Sequence, residues 1–435
     1  MHKMTFDESI KWLDDFQKFG MNLGLERIQA LVKSIGHPER KLRCIHVSGT
    51  NGKGSVCRYI TSVLVAAGYT VGLYVSPHLE TILERFSINN KMISEEEFAD
   101  LSSKVRQEVD TLIRTGIIPT YFEITTAMMF LWFAEKDVDY AVIEVGLGGR
   151  FDATNIIVPM LSVITNVSLD HTQILGDTIE RIAFEKAGII KHNIPVITAA
   201  QEPAVSVIQK EAEKHHAPIY TVHSSSASII SSDEHGQNIL VSGPYHEYTL
   251  ETQNLGTYQI ENVSTALYAL EVLQTQGVFL PENAIENGIK DMKHPGRMEI
   301  VHQQPLIILD GAHNPSAMDM LHKTIKELFA ERRIIVVFGV MADKAVDDII
   351  VMLLSFADHI IVTQPVTSRA MKPKDIQKRI MNVSNDITMS VSYTVPEGIQ
   401  LAVTSADTDD IILVTGSLFT VGEARRYIRE HHANN

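Results

Sequence analysis

The chain has 435 residues, 45% of them hydrophobic and 21% charged, and a formal net charge of -15. This length exceeds what one hydrophobic core comfortably organises, so two domains are expected, and the composition excludes a disordered or fibrous chain. An acidic balance with no basic run interleaved with aromatics argues against nucleic acid as a partner, while local amides, a lysine and a metal ion can still hold phosphates.

The opening stretch MHKMTFDESIKWLDDF carries acidic residues among its apolar ones and has no continuous apolar run of the signal-peptide kind. No later stretch approaches the length of a membrane span. Cys44 and Cys57 form neither a paired metal motif nor a disulfide framework. A cytoplasmic protein without a membrane partner is the expectation. Downstream, short β-rich runs alternate with longer amphipathic segments: CIHVSG (44–49), TVGLYVS (70–76), YAVIEVG (140–146), MLSVITNV (160–167) and PVITA (195–199). That rhythm predicts a mainly parallel sheet covered by helices. GKGSVCRYITSVLVAAG, ITTAMMFLWFAEK and TIERIAFEKAG read as the helices between them, the last closed by a glycine.

From about 218 to 258 short, polar-interrupted runs such as PIYTV and QNILVSG predict an antiparallel excursion. A helix over Glu261 to Gln274 follows. A second alternating series comprises LIILDG (306–311), RIIVVFGV (333–340), HIIVTQ (359–364) and DIILVTGS (410–417), each followed by a candidate helix. The boundary falls at His294-Pro295-Gly296-Arg297, giving domains 1–296 and 297–435. No repeat of 20 to 50 residues marks a solenoid.

Four motifs carry chemistry. Gly49-Thr50-Asn51-Gly52-Lys53-Gly54-Ser55 follows a strand and opens a helix, the setting in which amides and a helix N-terminus cradle phosphates, a lysine neutralises them and a hydroxyl reaches magnesium. It departs from the strict Walker pattern: Val47 stands where the first glycine belongs, and Gly54 separates Lys53 from Ser55. Glu144-Val145-Gly146-Leu147-Gly148-Gly149-Arg150-Phe151-Asp152 ends another strand, where a carboxylate can hold magnesium and where glycines equally serve a tight turn. Leu169-Asp170-His171-Thr172 and Glu185-Lys186-Ala187-Gly188 come next, each open to a structural reading. Asp310-Gly311-Ala312-His313-Asn314-Pro315 ends a strand of the second series, as a capped turn or a ligand loop.

Together with NLGLER (22–27), YVSPHL (74–79), YFE (121–123), HPGR (294–297) and VTGS (414–417), these motifs resemble, in order along nearly the whole chain, the Mur ligase superfamily and within it the folylpolyglutamate and dihydrofolate synthases. The resemblance implies an α/β chain: an N-terminal Mur-ligase-like ATPase domain with a modified phosphate loop, then a C-terminal Rossmann-like domain, with substrates meeting in the cleft. It implies nucleotide contacts at Asn51, Gly52, Lys53, Gly54, Ser55, Asn262, Arg297 and Asp310. Magnesium ligands are implied at Ser55, Ser76, Glu144 and His171, with a carbamate on Lys186 joining them. Pterin contacts are implied at Asn22, Leu23, Gly24 and Leu25, at Thr120, Tyr121, Phe122 and Glu123, and at Phe151, Asp152 and Ala153.

Lys53, Lys186 and His313 are the residues expected to serve catalysis. The implied reaction uses ATP to convert a folate carboxylate into an acyl phosphate, which the amine of L-glutamate attacks. Reduced folates and dihydropteroate are the expected acceptors, and a monomer the expected state. The rival readings are a cell-wall Mur ligase acting on a UDP-linked substrate and a nucleotide-dependent binding protein without ligase activity. NLGLER and YFE favour the folate branch.

Overall fold

The computed structural model describes residues 3–17 and 24–432. The first sheet has eight strands: β1 (Cys44–Ser48), β2 (Val71–Tyr74), β3 (Phe86–Ile88), β4 (Lys91–Met92), β5 (Tyr140–Glu144), β6 (Leu161–Ile164), β7 (Val196–Thr198) and β8 (Ile219–Thr221). Their order is β4-β3-β2-β5-β1-β6-β7-β8, parallel except for the β2–β3–β4 edge. Every residue of β1 and β5 is buried, as a strand covered on both faces requires. The two-residue period of β1 sends Ile45 and Val47 to the core under the helix Lys53–Ala66 and Cys44 to the opposite core, against the helices Glu95–Arg114 and Tyr121–Glu135.

The helix Lys53–Ala66 packs in turn against the helices Thr257–Thr275 and Glu282–Asp291. Gly288 makes the second approach possible, since a Cβ there would stand 2.5 Å from Val63 Cα. Beyond these lies a three-stranded antiparallel sheet, ordered β11-β10-β9, formed by β9 (Ala227–Asp233), β10 (Gly236–Ser242) and β11 (Glu247–Thr252). The antiparallel excursion thus starts later than its sequence suggested. PIYTV supplies β8, which pairs parallel with β7 on the main sheet, because its register continues the β6–β7 edge.

The remaining strands form a second sheet: β12 (Glu299–Gln303), β13 (Leu306–Leu309), β14 (Ile334–Phe338), β15 (His359–Val362), β16 (Thr388–Val391) and β17 (Ile411–Thr415). The order is β12-β13-β17-β14-β15-β16, with only β12 antiparallel to its neighbour. Helices Pro315–Phe329, Val346–Leu353 and Pro373–Val383 cover one face, and Val395–Ser405 and Leu418–His432 the other. This is a doubly wound layer arrangement. Gly188 does follow the helix Ile179–Ala187, but at φ -61° it is no left-handed cap. A Cβ there would stand 2.4 Å from Arg150 Cα, so close packing, and not helix termination, calls for glycine.

Candidate active site

The phosphate loop leaves the carboxyl end of β1, between β5 and β6, and the segments that meet it leave the ends of neighbouring strands. Gly49 (φ +147°) and Gly52 (φ +81°) both hold backbone that side-chain-bearing residues rarely adopt. A Cβ on Gly49 would stand 1.8 Å from Thr165 Oγ1, and one on Gly52 2.2 Å from Asn262 Oδ1. The end of β6 braces the loop: Thr50 N donates to Asn166 O (2.9 Å), Asn51 N to Asn166 Oδ1 (2.9 Å), and Thr165 Oγ1 to Asn51 O (2.6 Å). Gly52 caps the helix Lys53–Ala66 without a side-chain bond, leaving the helix N-terminus to a ligand. The Lys53 ammonium folds back onto Gly49 O and Thr50 O, at 3.1 Å each.

Glu144, at the end of β5, is buried beside this loop; a Cβ on Gly54 would be 3.6 Å from its Oε2. The same oxygen accepts from the backbone Ser76 N (2.9 Å), which brings Ser76 next to Glu144. Burial pushes the Glu144 carboxyl above its ordinary range, opposed by Lys53, the Ser76 amide, Arg58 and Arg297. Ser55 Oγ pairs with His294 Nδ1 at 2.9 Å. His294 is held neutral, far below the ordinary histidine range, by burial and then by Arg58 and Arg297.

Lys186 is buried and donates from Nζ to Gly49 O at 2.7 Å, so its amine lies directly under the phosphate loop. Burial, then repulsion from Lys53, drives its pKa well below the usual lysine value. His171, left-handed at φ +50°, sits after Asp170 with its ring half-buried, and burial lowers its pKa as well. Among the described residues, no three His, Cys, Asp or Glu side chains gather closely enough to hold a metal by themselves.

The second domain enters through the turn after β13. Asp310 is buried with both oxygens occupied, Oδ2 by Met298 N (3.0 Å) and Tyr258 OH (3.2 Å), Oδ1 by Ala312 N (2.9 Å). Burial raises its pKa, and Arg297 opposes the rise. His313 Nδ1 lies 2.8 Å from Gly311 O, and burial followed by Lys344 lowers the imidazole to about 4. Asn314 Nδ2 bridges Asn51 Oδ1 (3.1 Å) and Asp170 Oδ2 (3.2 Å), tying the two domains together. Lys344 completes this contact at 2.9 Å from Asp170 Oδ1. Burial alone would raise Asp170, but Lys344, His171 and His313 outweigh it and hold the carboxyl well below its usual range. Asn262 lies against Gly52 and donates to Gln259 Oε1 at 3.0 Å.

Lys344 and the brace residues Thr165 and Asn166 did not stand out as site residues. Thr165 and Asn166 end a predicted strand next to the phosphate loop, which was the available signal; Lys344 follows RIIVVFGV in a loop that looked like any other.

The expected pterin-contact segments divide. Asn22 and Leu23 lie outside the described residues. Gly24 and Leu25 open the helix Glu26–Ser34, whose Arg27 grips Glu123 through Nε (3.1 Å) and Nη2 (3.1 Å). Thr120 and Glu123 form a capping box on the helix Tyr121–Glu135. The Glu123 carboxylate is therefore spent on joining the two segments. Breaking a buried pair strands its partner, so Arg27→Met is expected to destabilise the protein by about 3 kcal/mol. Urea unfolding measures this, and an unchanged midpoint would show that the pair contributes nothing.

Tyr121 lies beneath the Arg85 guanidinium, 5.6 Å from the ring centre, and Phe122 packs on Tyr74 and against Gly146. Phe151 is exposed, and Ala153 is buried. Asp152 is buried and accepts from Leu147 N (2.9 Å), Thr154 N (3.0 Å) and Thr154 Oγ1 (2.6 Å), which shapes the loop after Glu144.

This arrangement suits a nucleotide whose phosphates lie on the loop while a second domain closes from the other side. Residues 47–270 match the family model of the Mur ligase middle domain, and residues 296–418 that of the Mur ligase glutamate ligase domain. The dihydrofolate synthase/folylpolyglutamate synthase of Bacillus subtilis is 38% identical over 98% of this chain and 99% of its own. A Mycobacterium tuberculosis folylpolyglutamate synthase complexed with ADP and AMPPCP superposes with a TM-score of 0.89 at 30% identity, covering 97% of this chain and 98% of the other. Escherichia coli FolC in complex with DHPP and ADP gives a TM-score of 0.88 at 30% identity, covering 98% of each chain. With both family models matched in order and relatives aligned from end to end, the chain belongs to the dihydrofolate synthase/folylpolyglutamate synthase family of Mur ligases.

Proposed function

We propose that the chain uses ATP to activate the carboxylate of a reduced folate and joins it to the amine of L-glutamate, and that it does the same with dihydropteroate to make dihydrofolate. The observation that carries this reading is the phosphate loop, with Lys53 and the free helix N-terminus facing buried Glu144, set in a chain similar over its whole length to bifunctional relatives. A carboxylate resists attack by an amine, so phosphoryl transfer to it must come first. The charge that develops sits on phosphoryl and acyl oxygens. Fixed donors, here Lys53 and the amides of the loop, stabilise such charge without reorganising.

The oxygen donors Ser55, Ser76 and Glu144 suit magnesium, a hard cation that keeps several waters and takes substrate phosphates as ligands. They would hold the ion, and when bound it neutralises phosphate charge. His171 and a carbamate on Lys186 are the further ligands of the proposal. Arg297, Asn262 and Asp310 frame the nucleotide from the far side, with His313 orienting it.

The domains of the proposal are 1–296 and 297–435, and its setting is a cytoplasmic monomer. No described helix is long and apolar enough to cross a membrane.

The test is ATP turnover with and without each organic substrate. Ligation is expected to require both glutamate and a pterin acceptor; hydrolysis of ATP that ignores both would overturn the reading. The second activity has its own test. The GGRFDATN segment retains Arg150 and Asp152, which the family resemblance associates with members that accept dihydropteroate, and Asp152 accepts from Leu147 N and Thr154 N within it. Dihydropteroate plus glutamate is expected to yield dihydrofolate at a rate within about tenfold of that for tetrahydrofolate extension, a margin of about 1.4 kcal/mol in barrier height. Extension of tetrahydrofolate without any dihydrofolate synthesis would confine the enzyme to polyglutamylation.

A further inference from the structure

The loop after β2 carries Ser76 and then runs to Arg85, and its far end is gripped by the second domain. Glu84 fixes the loop internally, its carboxylate accepting from Leu79 N (2.8 Å), Glu80 N (2.8 Å) and Thr81 N (3.0 Å). At one end Ser76 N is bound to Glu144, and Val75 N donates to Arg85 O at 3.2 Å. At the other end stands Glu80, a carboxylate only 8% exposed.

Three arginines of the helix Leu418–His432 converge on Glu80. Arg425 Nη1 donates to Oε1, Arg429 Nη2 lies 3.0 Å from Oε2, and Arg426 Nη2 donates to the Glu80 carbonyl at 3.0 Å. Arg425 is itself oriented by Glu299 of β12, with Nε 3.0 Å from each carboxylate oxygen, and Glu299 Oε2 also accepts from Gly296 N at 2.8 Å. The helix touches the loop backbone directly: a Cβ on Gly422 would stand 2.1 Å from Leu79 O. Contacts 345 residues apart in sequence thus hold the loop from outside its own domain.

We propose that Glu80 and the Arg425–Arg426–Arg429 face of the last helix are a clamp through which the second domain positions the Ser76 loop, so that the Ser76–Glu144 side of the nucleotide site is complete only while that domain is docked. Glu80 and the arginines are positioning residues. None of them touches the phosphate loop; they act through a stretch that Glu84 makes stiff. Arg426 and Arg429 reach Glu80 from the exposed side of the helix, so the firm part of the tie is the Arg425–Glu80 pair, in which the carboxylate is desolvated and Arg425 is itself held by Glu299. The clamp deepens the reading of Ser76 and Glu144 as a magnesium–nucleotide site and rests on it for its consequence in catalysis.

The experiment compares wild type with Glu80→Gln, Arg429→Gln, their double variant and Gly422→Ala. Amide hydrogen exchange of residues 74–85 is followed in metal-free protein, and the magnesium–ATP dependence of ligation is followed separately. In Glu80→Gln and Gly422→Ala, exchange over 76–81 is expected to rise about tenfold while residues 140–144 stay protected. Half-saturation by magnesium–ATP is expected to rise about tenfold, with a smaller fall in the saturated rate. The Glu80→Gln and Arg429→Gln effects should be less than multiplicative in the double variant, as for groups that share one interaction. Unchanged exchange in both Glu80→Gln and Gly422→Ala, or a loosened loop with unchanged half-saturation, would overturn the clamp. A wild-type enzyme indifferent to magnesium would instead refute the metal reading, and the exchange measurement would still decide whether the helix holds the loop.

Discussion

Lys53→Ala is expected to lower the ligation rate by about 10³-fold or more while the fold survives, the scale on which removal of a fixed donor at a phosphoryl-transfer site acts. The reason lies in what the lysine does without nucleotide. Among the described residues its ammonium bonds the carbonyls of Gly49 and Thr50, both on the loop itself and not in the core. Each such bond contributes about 1 kcal/mol net, and the loop stays braced by Thr165 and Asn166. Lys53 also exerts a field on Glu144, Lys186 and His171, which places it at the electrostatic centre of the site. Thermal melting must accompany the kinetics: a variant that melts like wild type, binds nucleotide weakly and ligates at the background rate fits the assignment. An active Lys53→Ala enzyme would remove it.

Lys186→Ala should reduce ligation by about 10²-fold or more without preventing nucleotide from reaching the loop around Lys53. A protonated Lys186 beside Lys53 would repel magnesium. Burial answers the charge problem by favouring the neutral amine, and the neutral amine is the form that reacts with carbon dioxide. In the proposed modification the nitrogen would attack the carbon, one N–H proton would leave to solvent, and an anionic carbamate would replace the amine.

Its oxygens are the ligand type that magnesium takes. Stability follows the same sign. A lysine whose folded pKa is depressed binds fewer protons than in the unfolded chain, so stability rises with pH up to the unfolded value of about 10.4. Removing Lys186 is therefore not expected to unfold the protein at neutral pH. Carbon-13 labelling with carbon dioxide should give a carbamate resonance in native enzyme that is absent from Lys186→Ala, and a small added carboxylate should restore part of the variant's rate. Fully active wild type without the resonance, together with a Lys186→Ala variant of normal rate, would sink the proposal.

Much of this protein was legible in the chain because its chemistry is local. A strand, a glycine-bearing turn with a lysine and a helix follow one another within a dozen residues at the phosphate loop, so its signal is local, and the left-handed backbone at Gly52 goes with the tight entry into the helix. The two alternating series announced two sheets, and continuous apolar runs announced strands buried on both faces. The order of the motifs pointed to the family. The edge strands escaped, since β3, β4 and β12 are short or half-exposed and lack an apolar run.

Tertiary structure alone decided the partners. Nothing near Glu123 in sequence names Arg27, nothing near Asp170 names Lys344, and nothing near Glu80 names Arg425. A charged side chain looks the same in sequence whether it faces water or a partner from a distant segment, because the pairing is set by how two sheets and their loops are brought together. Burial is decided there too. Lys186 reads as a helix-terminal cation until the packing of Ile179–Ala187 against Val145, Ile164 and Val196 puts its amine on Gly49 O, where burial favours the uncharged form.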